Sequence, residues 1–68
     1  MSRKYIGKLV YTINANNNQI DTWRCTDVIK AHNNELMYEL KDGSKVAILP
    51  KRCVYPTFKR ALEVANKR

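Results

Sequence analysis

The Asp42-Gly43 dipeptide, set between two short segments rich in strand-forming residues, constrains the fold more than any other local feature of this chain. Glycine readily adopts the positive φ that a tight hairpin turn requires. The pattern therefore predicts an antiparallel hairpin whose two strands are residues 35–41 and 44–49.

Two registers are possible for this hairpin. A two-residue loop would pair Tyr38 with Ala47 and would mix apolar and charged side chains on one face. A turn over residues 40–43 that ends in a bulge pairs Tyr38 with Val46 instead and gives one apolar face. Because one face of a small sheet has to be buried, we predict the bulged register.

Two further strands are expected before the hairpin. Residues 5–13 are mostly β-branched or aromatic and lack helical spacing, so they predict a strand that is either covered on both faces or bent at Gly7. Residues 23–32 predict a second strand, and the asparagine-rich residues 14–19 predict a surface loop between them. Residues 33–34, both asparagine, predict a tight turn before the hairpin.

The second strand shows an interrupted alternation. Trp23, Cys25, Ile29 and Ala31 share one parity, but residues 27 and 28 break the pattern. A β-bulge near this break would restore the alternation, and it would bend the strand so that a small sheet can curl. We therefore predict a bulge at this point.

The C-terminal part of the chain predicts a short strand followed by a helix. Pro50 cannot donate to a sheet and should end the fourth strand, while residues 51–55 predict a fifth. Pro56 fits the first position of a helix. The apolar residues that follow recur at helical spacing and predict a buried stripe, namely Phe58, Ala61, Leu62 and Ala65.

These elements predict a mainly β fold in a single domain over residues 1–68: a small curved antiparallel sheet, or an SH3-like or OB-like barrel, of four to five strands with a short C-terminal α-helix. No apolar run approaches the length of a membrane span, and the first residues do not resemble a signal peptide. We expect a soluble, cytoplasmic protein with no membrane partner.

The positive charge is concentrated near the two ends of the chain. Residues 1–20 hold three cations and no acid, residues 21–50 hold four cations and five acids, and residues 51–68 hold six cations and one acid. The formal net charge is +7. Such an asymmetry favours a polyanionic partner, because clustered cations raise both the encounter rate and the non-specific affinity.

The chain has little material for catalysis or for a cofactor. His32 is the only histidine, and Gly7 and Gly43 are the only glycines, so no phosphate-binding glycine loop exists. Cys25 and Cys53 are too far apart in sequence for a paired metal or redox motif, and we expect two thiols rather than a disulfide. We predict a protein that is not an enzyme and that binds no metal or cofactor.

Nucleic-acid binding agrees best with the remaining features. Small curved sheets bind nucleic acid with a basic track and exposed aromatic rings, and the phosphate contacts need no sequence specificity. We expect Trp23, Tyr38 and Phe58 to lie in the core. The candidate contacts to DNA or RNA are the basic residues Arg3, Lys4, Lys8, Arg24, Lys51, Arg52, Lys59 and Arg60 and the aromatic residues Tyr5, Tyr11 and Tyr55.

A different class of function fits the same charges. A very small basic domain also suits a phage-type or mobile-element accessory protein that modulates an acidic host protein, through a complementary face or through a strand edge. Pairing of two copies into a homodimer is a third possibility, because small sheets often hide their edges in this way.

Overall fold

The computed structural model describes residues 5–67 of the chain. The elements in chain order are β1 (Leu9–Ile13), β2 (Ile20–Lys30), β3 (Leu36–Asp42), β4 (Lys45–Pro50), a 3-10 turn (Lys51–Cys53) and α1 (Phe58–Asn66). All four strands are antiparallel and lie in the order β1-β2-β3-β4. The mainly β fold with a C-terminal helix is confirmed. The sheet is open, and a closed barrel is not seen.

The hairpin around Asp42 and Gly43 is present, but its register differs from both alternatives. Tyr38 pairs with Leu49, and the loop consists of Gly43 and Ser44. Gly43 has φ +61°, and Ser44 does not have a positive φ, which is the combination of a type II′ turn. The predicted bulged register is therefore wrong: a Gly at the first loop position closes a regular two-residue turn.

The observed register decides which side of the hairpin faces the core. Tyr38 and Leu40 are buried, and their partners Leu49 and Ala47 are half-buried on the same side. Val46 was predicted to share the apolar face, but it lies on the other side of the sheet and is exposed. This second side is called the outer face below, and the side that carries Tyr38 is the inner face.

The bulge predicted in β2 is confirmed. Cys25 pairs with Leu40, whereas Asp27 pairs with Glu39, so Thr26 is the extra residue. The Thr26 hydroxyl contacts the Glu39 backbone carbonyl at 3.2 Å and the Glu39 carboxylate at 2.7 Å.

The bulge also changes which residues of β2 face inward. Cys25 and Val28 are both buried, although their positions have opposite parity. Ile29 was expected on the buried side, but after the bulge it lies on the outer face and is exposed. That part of the predicted alternation is wrong.

The first strand is shorter than predicted. Residues 5–7 form a turn, and Gly7 has φ +83°, which confirms a bend at this glycine. The Asn-rich residues 14–19 form the loop between β1 and β2, as expected, and Asn18 in it has φ +57°. The predicted turn at residues 33–34 is also present, with φ +66° at Asn34.

One hydrophobic core lies on the inner face. It consists of the buried residues Val10, Cys25, Val28, Tyr38, Leu40 and Val54. Trp23 was expected in the core, but it is half-buried at its margin, where the indole N-H donates to the Thr12 hydroxyl at 2.9 Å. Cys25 is buried and Cys53 is exposed, and both are free thiols.

The segment after β4 differs from the prediction. Residues 51–53 form a 3-10 turn instead of a fifth strand, and only Tyr55 forms an isolated antiparallel bridge, with Tyr11. Pro56 precedes α1 and is not its first residue. Thr57 is the N-cap, and its hydroxyl accepts from the Arg60 backbone N-H at 3.1 Å.

The helix is attached to the sheet by small side chains. Ala61 and Ala65 are buried, whereas Phe58 is 51% exposed and Leu62 is 42% exposed. The two large residues of the predicted buried stripe are therefore about half exposed. Phe58 contacts Tyr11 edge to face, with 5.9 Å between ring centroids. Because Tyr11 alternates with the buried Val10, the helix begins on the outer face of β1.

Candidate nucleic-acid interface

An open groove lies where the start of β3, the 3-10 turn and the start of α1 meet. Its volume is about 750 Å³. The residues that line it are Glu35, Leu36, Lys51, Arg52, Val54, Tyr55, Pro56 and Arg60. The groove thus combines an apolar and aromatic floor with three cations and one carboxylate, and it is called the Tyr55 groove below.

The 3-10 turn presents two of the three cations. Pro50 cannot donate to a neighbouring strand, so the chain leaves the sheet there and makes one tight turn. The Val54 N-H closes this turn by donating to the Lys51 carbonyl at 3.1 Å, and Val54 itself is buried. Lys51 and Arg52 remain exposed beside the groove.

Tyr55 is held by its backbone. Its N-H donates to the Tyr11 carbonyl at 2.8 Å, and its carbonyl accepts from the Tyr11 N-H at 2.9 Å. These bonds fix the position of Tyr55 at the edge of β1, with a half-buried side chain that lines the groove.

Arg60 reaches the groove from the first turn of α1. The Thr57 cap fixes where this turn begins, and Arg60 is the third residue after Thr57. Because the cap bond fixes the first turn of the helix, it also fixes the position of Arg60 relative to the groove. Lys59 is exposed on the same turn but does not line the groove.

The cations of the groove differ in how far they are neutralised. Arg52 forms an ion pair with Glu35 at 2.6 Å, and Arg60 lies 3.6 Å from Glu63. Lys51 has no carboxylate within ion-pair distance among residues 5–67. Both ion pairs are largely exposed, so solvent screens them and each contributes little to stability.

Two other basic residues predicted as contacts, Arg24 and Lys8, lie outside the groove. Arg24 lines a second, more polar depression together with Lys41, and its guanidinium donates to the Gly7 carbonyl at 3.0 Å. Lys8 is exposed and does not line the Tyr55 groove. Arg3 and Lys4 lie outside the described residues. Among the described residues, the groove therefore gathers its cations from residues 51–60.

The aromatic candidates also separate. The Tyr5 ring packs edge to face against Tyr38, with 5.6 Å between centroids, at the margin of the core. Tyr11 packs against Phe58 and neighbours Tyr55 through the backbone. Phe58 is an exposed ring that the sequence assigned to the core, and helical spacing alone could not show that the two alanines of its stripe would take the buried positions.

Among residues 5–67, no three His, Cys, Asp or Glu side chains lie close enough to hold a metal ion. The helix α1 has nine residues, and no helix within the described part of the chain is long and apolar enough to cross a membrane.

Comparison of the chain with protein-family models, curated proteins and solved structures finds no significant match.

Proposed function

We propose that the protein is a small nucleic-acid-associated regulatory module, and that the Tyr55 groove binds the phosphate backbone of single-stranded DNA or RNA. The observation that carries this proposal is the position of Lys51, Arg52 and Arg60 around one aromatic side chain. Cations supply sequence-independent affinity for phosphates, and an aromatic ring offers a stacking surface for any base.

The charges around the groove support a polyanion as ligand. Within residues 5–67 one acid lines it, Glu35, and this carboxylate is already paired with Arg52. Lys51 and Arg60 remain available to bind phosphates. Arg60 lies 3.6 Å from Glu63, and solvent screens this long ion pair on the exposed helix surface. The groove opens to solvent, so a strand can lie along it without entering an enclosed cavity.

A salt titration tests this proposal. The affinity for mixed-sequence single-stranded DNA, single-stranded RNA and duplex DNA is measured by fluorescence anisotropy at several salt concentrations. Two phosphate contacts, by Lys51 and Arg60, predict that log K falls with log salt with a slope of about −1.4 for single strands. No binding at low salt, or binding that does not depend on salt, would contradict the proposal.

Substitutions locate the contacts. Lys51→Gln should reduce the magnitude of the salt slope by about 0.7, whereas Lys45→Gln, an exposed lysine on β4, should leave it unchanged. Tyr55→Leu should weaken binding about tenfold, and Tyr55→Phe should retain it because the stacking ring remains. Equal effects of the Lys51 and Lys45 variants would show that only the net charge matters.

A second candidate function is an accessory protein of phage or mobile-element type that binds an acidic host protein. The Arg52–Glu35 pair supports it, because it shows a carboxylate already seated against a guanidinium beside the apolar floor. Such a partner would bind through the same groove. Capture from nuclease-treated lysate that depends on Lys51 and survives excess nucleic acid would favour this function over the first.

We also propose that the fold is a partly closed SH3-like barrel. The support is the Tyr11–Tyr55 bridge, which returns the chain after the 3-10 turn to the free side of β1. Hydrogen exchange provides the test. The amides of Tyr11 and Tyr55 should exchange as slowly as those in the middle of β2, whereas an open end of the sheet would leave both amides fast.

A further inference from the structure

The strand β4 is a free sheet edge. Within residues 5–67 it pairs with β3 on one side, and no other strand pairs with it on the other side. Natural proteins usually protect such edges with charges, prolines or bulges. Between Lys45 and Pro50 at its two ends, β4 presents only Val46, Ala47, Ile48 and Leu49.

The outward-pointing backbone N-H groups of β4 belong to two residues. A two-residue loop closes with a hydrogen-bonded pair, here Asp42 and Lys45, and bonded and non-bonded pairs then alternate. Val46 and Ile48 are in non-bonded pairs, so their N-H and C=O groups point away from β3. Their side chains lie on the outer face and are 58% and 51% exposed.

We propose that β4 pairs antiparallel with β4 of a second copy, about a two-fold axis at Ala47, so that Val46 lies opposite Ile48 of the other chain. This register forms four hydrogen bonds and uses every outward N-H of Val46 and Ile48 in both chains. The register with Ile48 opposite Ile48 would place Val46 opposite Pro50. Because proline has no N-H to donate, that register would form fewer hydrogen bonds.

Charge complementarity on the outer face supports the same register. Across the sheet, Arg24, Lys41 and Val46 form one row of directly paired residues, and Asp27, Glu39 and Ile48 form the next. With Val46 opposite Ile48, the basic row of one copy continues into the acidic row of the other. With Val46 opposite Val46, the basic rows of both copies would lie in line instead, about three strand spacings apart at Lys41, and like charges would repel at long range.

The interface is short, so the dimer should be weak and dependent on concentration. It uses none of the residues that line the Tyr55 groove, and it is independent of the proposed function. Sedimentation equilibrium from low micromolar to near-millimolar protein should show a reversible monomer–dimer equilibrium. A monomer over the whole range would overturn the proposal.

Two variants assign the dimer to this edge. Val46→Pro removes one outward N-H donor from each chain and leaves the ladder with β3 intact, so the dissociation constant should rise at least about tenfold. Ile48→Lys should have a similar effect, whereas Leu62→Lys, which changes an exposed aliphatic residue on α1, should not. Circular dichroism verifies folding of each variant. A folded Val46→Pro protein that dimerises as before would overturn the proposal.

Cross-linking tests the register directly. With the exposed Cys53 replaced by Ser, Ala47→Cys places two thiols opposite each other at the two-fold axis, within disulfide distance. Lys45→Cys in the same background should not cross-link, because in this register it lies opposite Leu49. A covalent dimer is therefore expected only for Ala47→Cys on mild oxidation, and cross-linking through position 45 instead would overturn the register.

Discussion

Tyr11 and Tyr55 exchange two backbone hydrogen bonds, of 2.9 and 2.8 Å, although one lies in the first strand and the other precedes the C-terminal helix. This pair joins the candidate binding surface to the edge of β1. The Tyr55 groove therefore depends on the folded sheet, and changes that loosen β1 should alter ligand binding as well as stability.

The bond from the Trp23 indole to the Thr12 hydroxyl should stabilise the β1–β2 hairpin. Thr12 is 6% exposed, so Thr12→Val leaves the indole N-H without its acceptor. We expect a loss of about 1–2 kcal/mol in the free energy of unfolding, measured with urea. In the double variant with Trp23→Phe, removal of the hydroxyl should cost less, since no donor remains. Additive losses would show that the two groups do not interact.

The Thr57 cap should contribute both to stability and to the groove. Thr57→Ala removes the acceptor for the Arg60 N-H and should lower the free energy of unfolding by about 1 kcal/mol, while Thr57→Ser should retain it. Because Arg60 begins in the capped turn, the alanine variant should also bind single strands more weakly. Thermal unfolding and anisotropy measure the two effects. An alanine variant as stable as the serine variant would exclude a capping role.

Burial raises the pKa of Tyr38 above its ordinary value of 10.0, and the neighbouring Tyr5 and Cys25 raise it further. Burial likewise raises the pKa of the Cys25 thiol above 9.0. The hydrogen bond to the Asp27 backbone lowers this pKa by a smaller amount, and the Asp27 charge raises it. In the alkaline range the unfolded chain therefore holds fewer protons than the native protein. The free energy of unfolding should fall as the pH rises through and beyond these ordinary values.

The Tyr38 hydroxyl is buried and has no hydrogen-bond partner among residues 5–67. Tyr38→Phe removes this unsatisfied group and keeps the ring that packs in the core. We expect the free energy of unfolding at neutral pH to stay the same or rise by up to about 1 kcal/mol, and its decline above pH 10 to become shallower. Urea titrations at neutral and alkaline pH measure both. A clear loss of stability at neutral pH would indicate a missed partner.

Glu35 should restrain Arg52 from binding a polyanion. Glu35→Gln breaks an exposed ion pair and should change the free energy of unfolding by less than about 1 kcal/mol. The freed guanidinium should steepen the salt slope of single-strand binding by about 0.7. Glu63→Gln is the matched control, because Arg60 and Glu63 are already 3.6 Å apart and its effect should be smaller. A larger effect of the control would contradict this assignment of charges.

Local chemistry predicted the four strands and the helix in their observed order, but not the 3-10 turn in place of a fifth strand or the details that involve distant residues. The bulge in β2, the bend at Gly7 and the end of β4 at Pro50 all follow from short stretches of sequence. The hairpin register depends instead on which side of β3 packs against the rest of the chain, and the turn chemistry of Gly43 allowed more than one answer.

The candidate site shows the same division. Lys51, Arg52, Tyr55 and Arg60 were predicted as contacts, and they line one groove because the 3-10 turn and the helix cap bring them together. Leu36 and Pro56 could not be predicted as part of that groove, because ordinary apolar residues are recognisable as its floor only after folding. Phe58 was misplaced for a related reason: a helix that packs through Ala61 and Ala65 leaves its larger neighbours outside.

Because Thr26 is an extra residue in β2, the strand can lose one residue at this position without changing which side chains face the core. Deleting Thr26 would leave Cys25 and Val28 facing inward in regular alternation, whereas deleting a residue on either side would turn half of the strand inside out. Insertions and deletions that accumulate as such a gene diverges should therefore concentrate at this point and in the connecting loops.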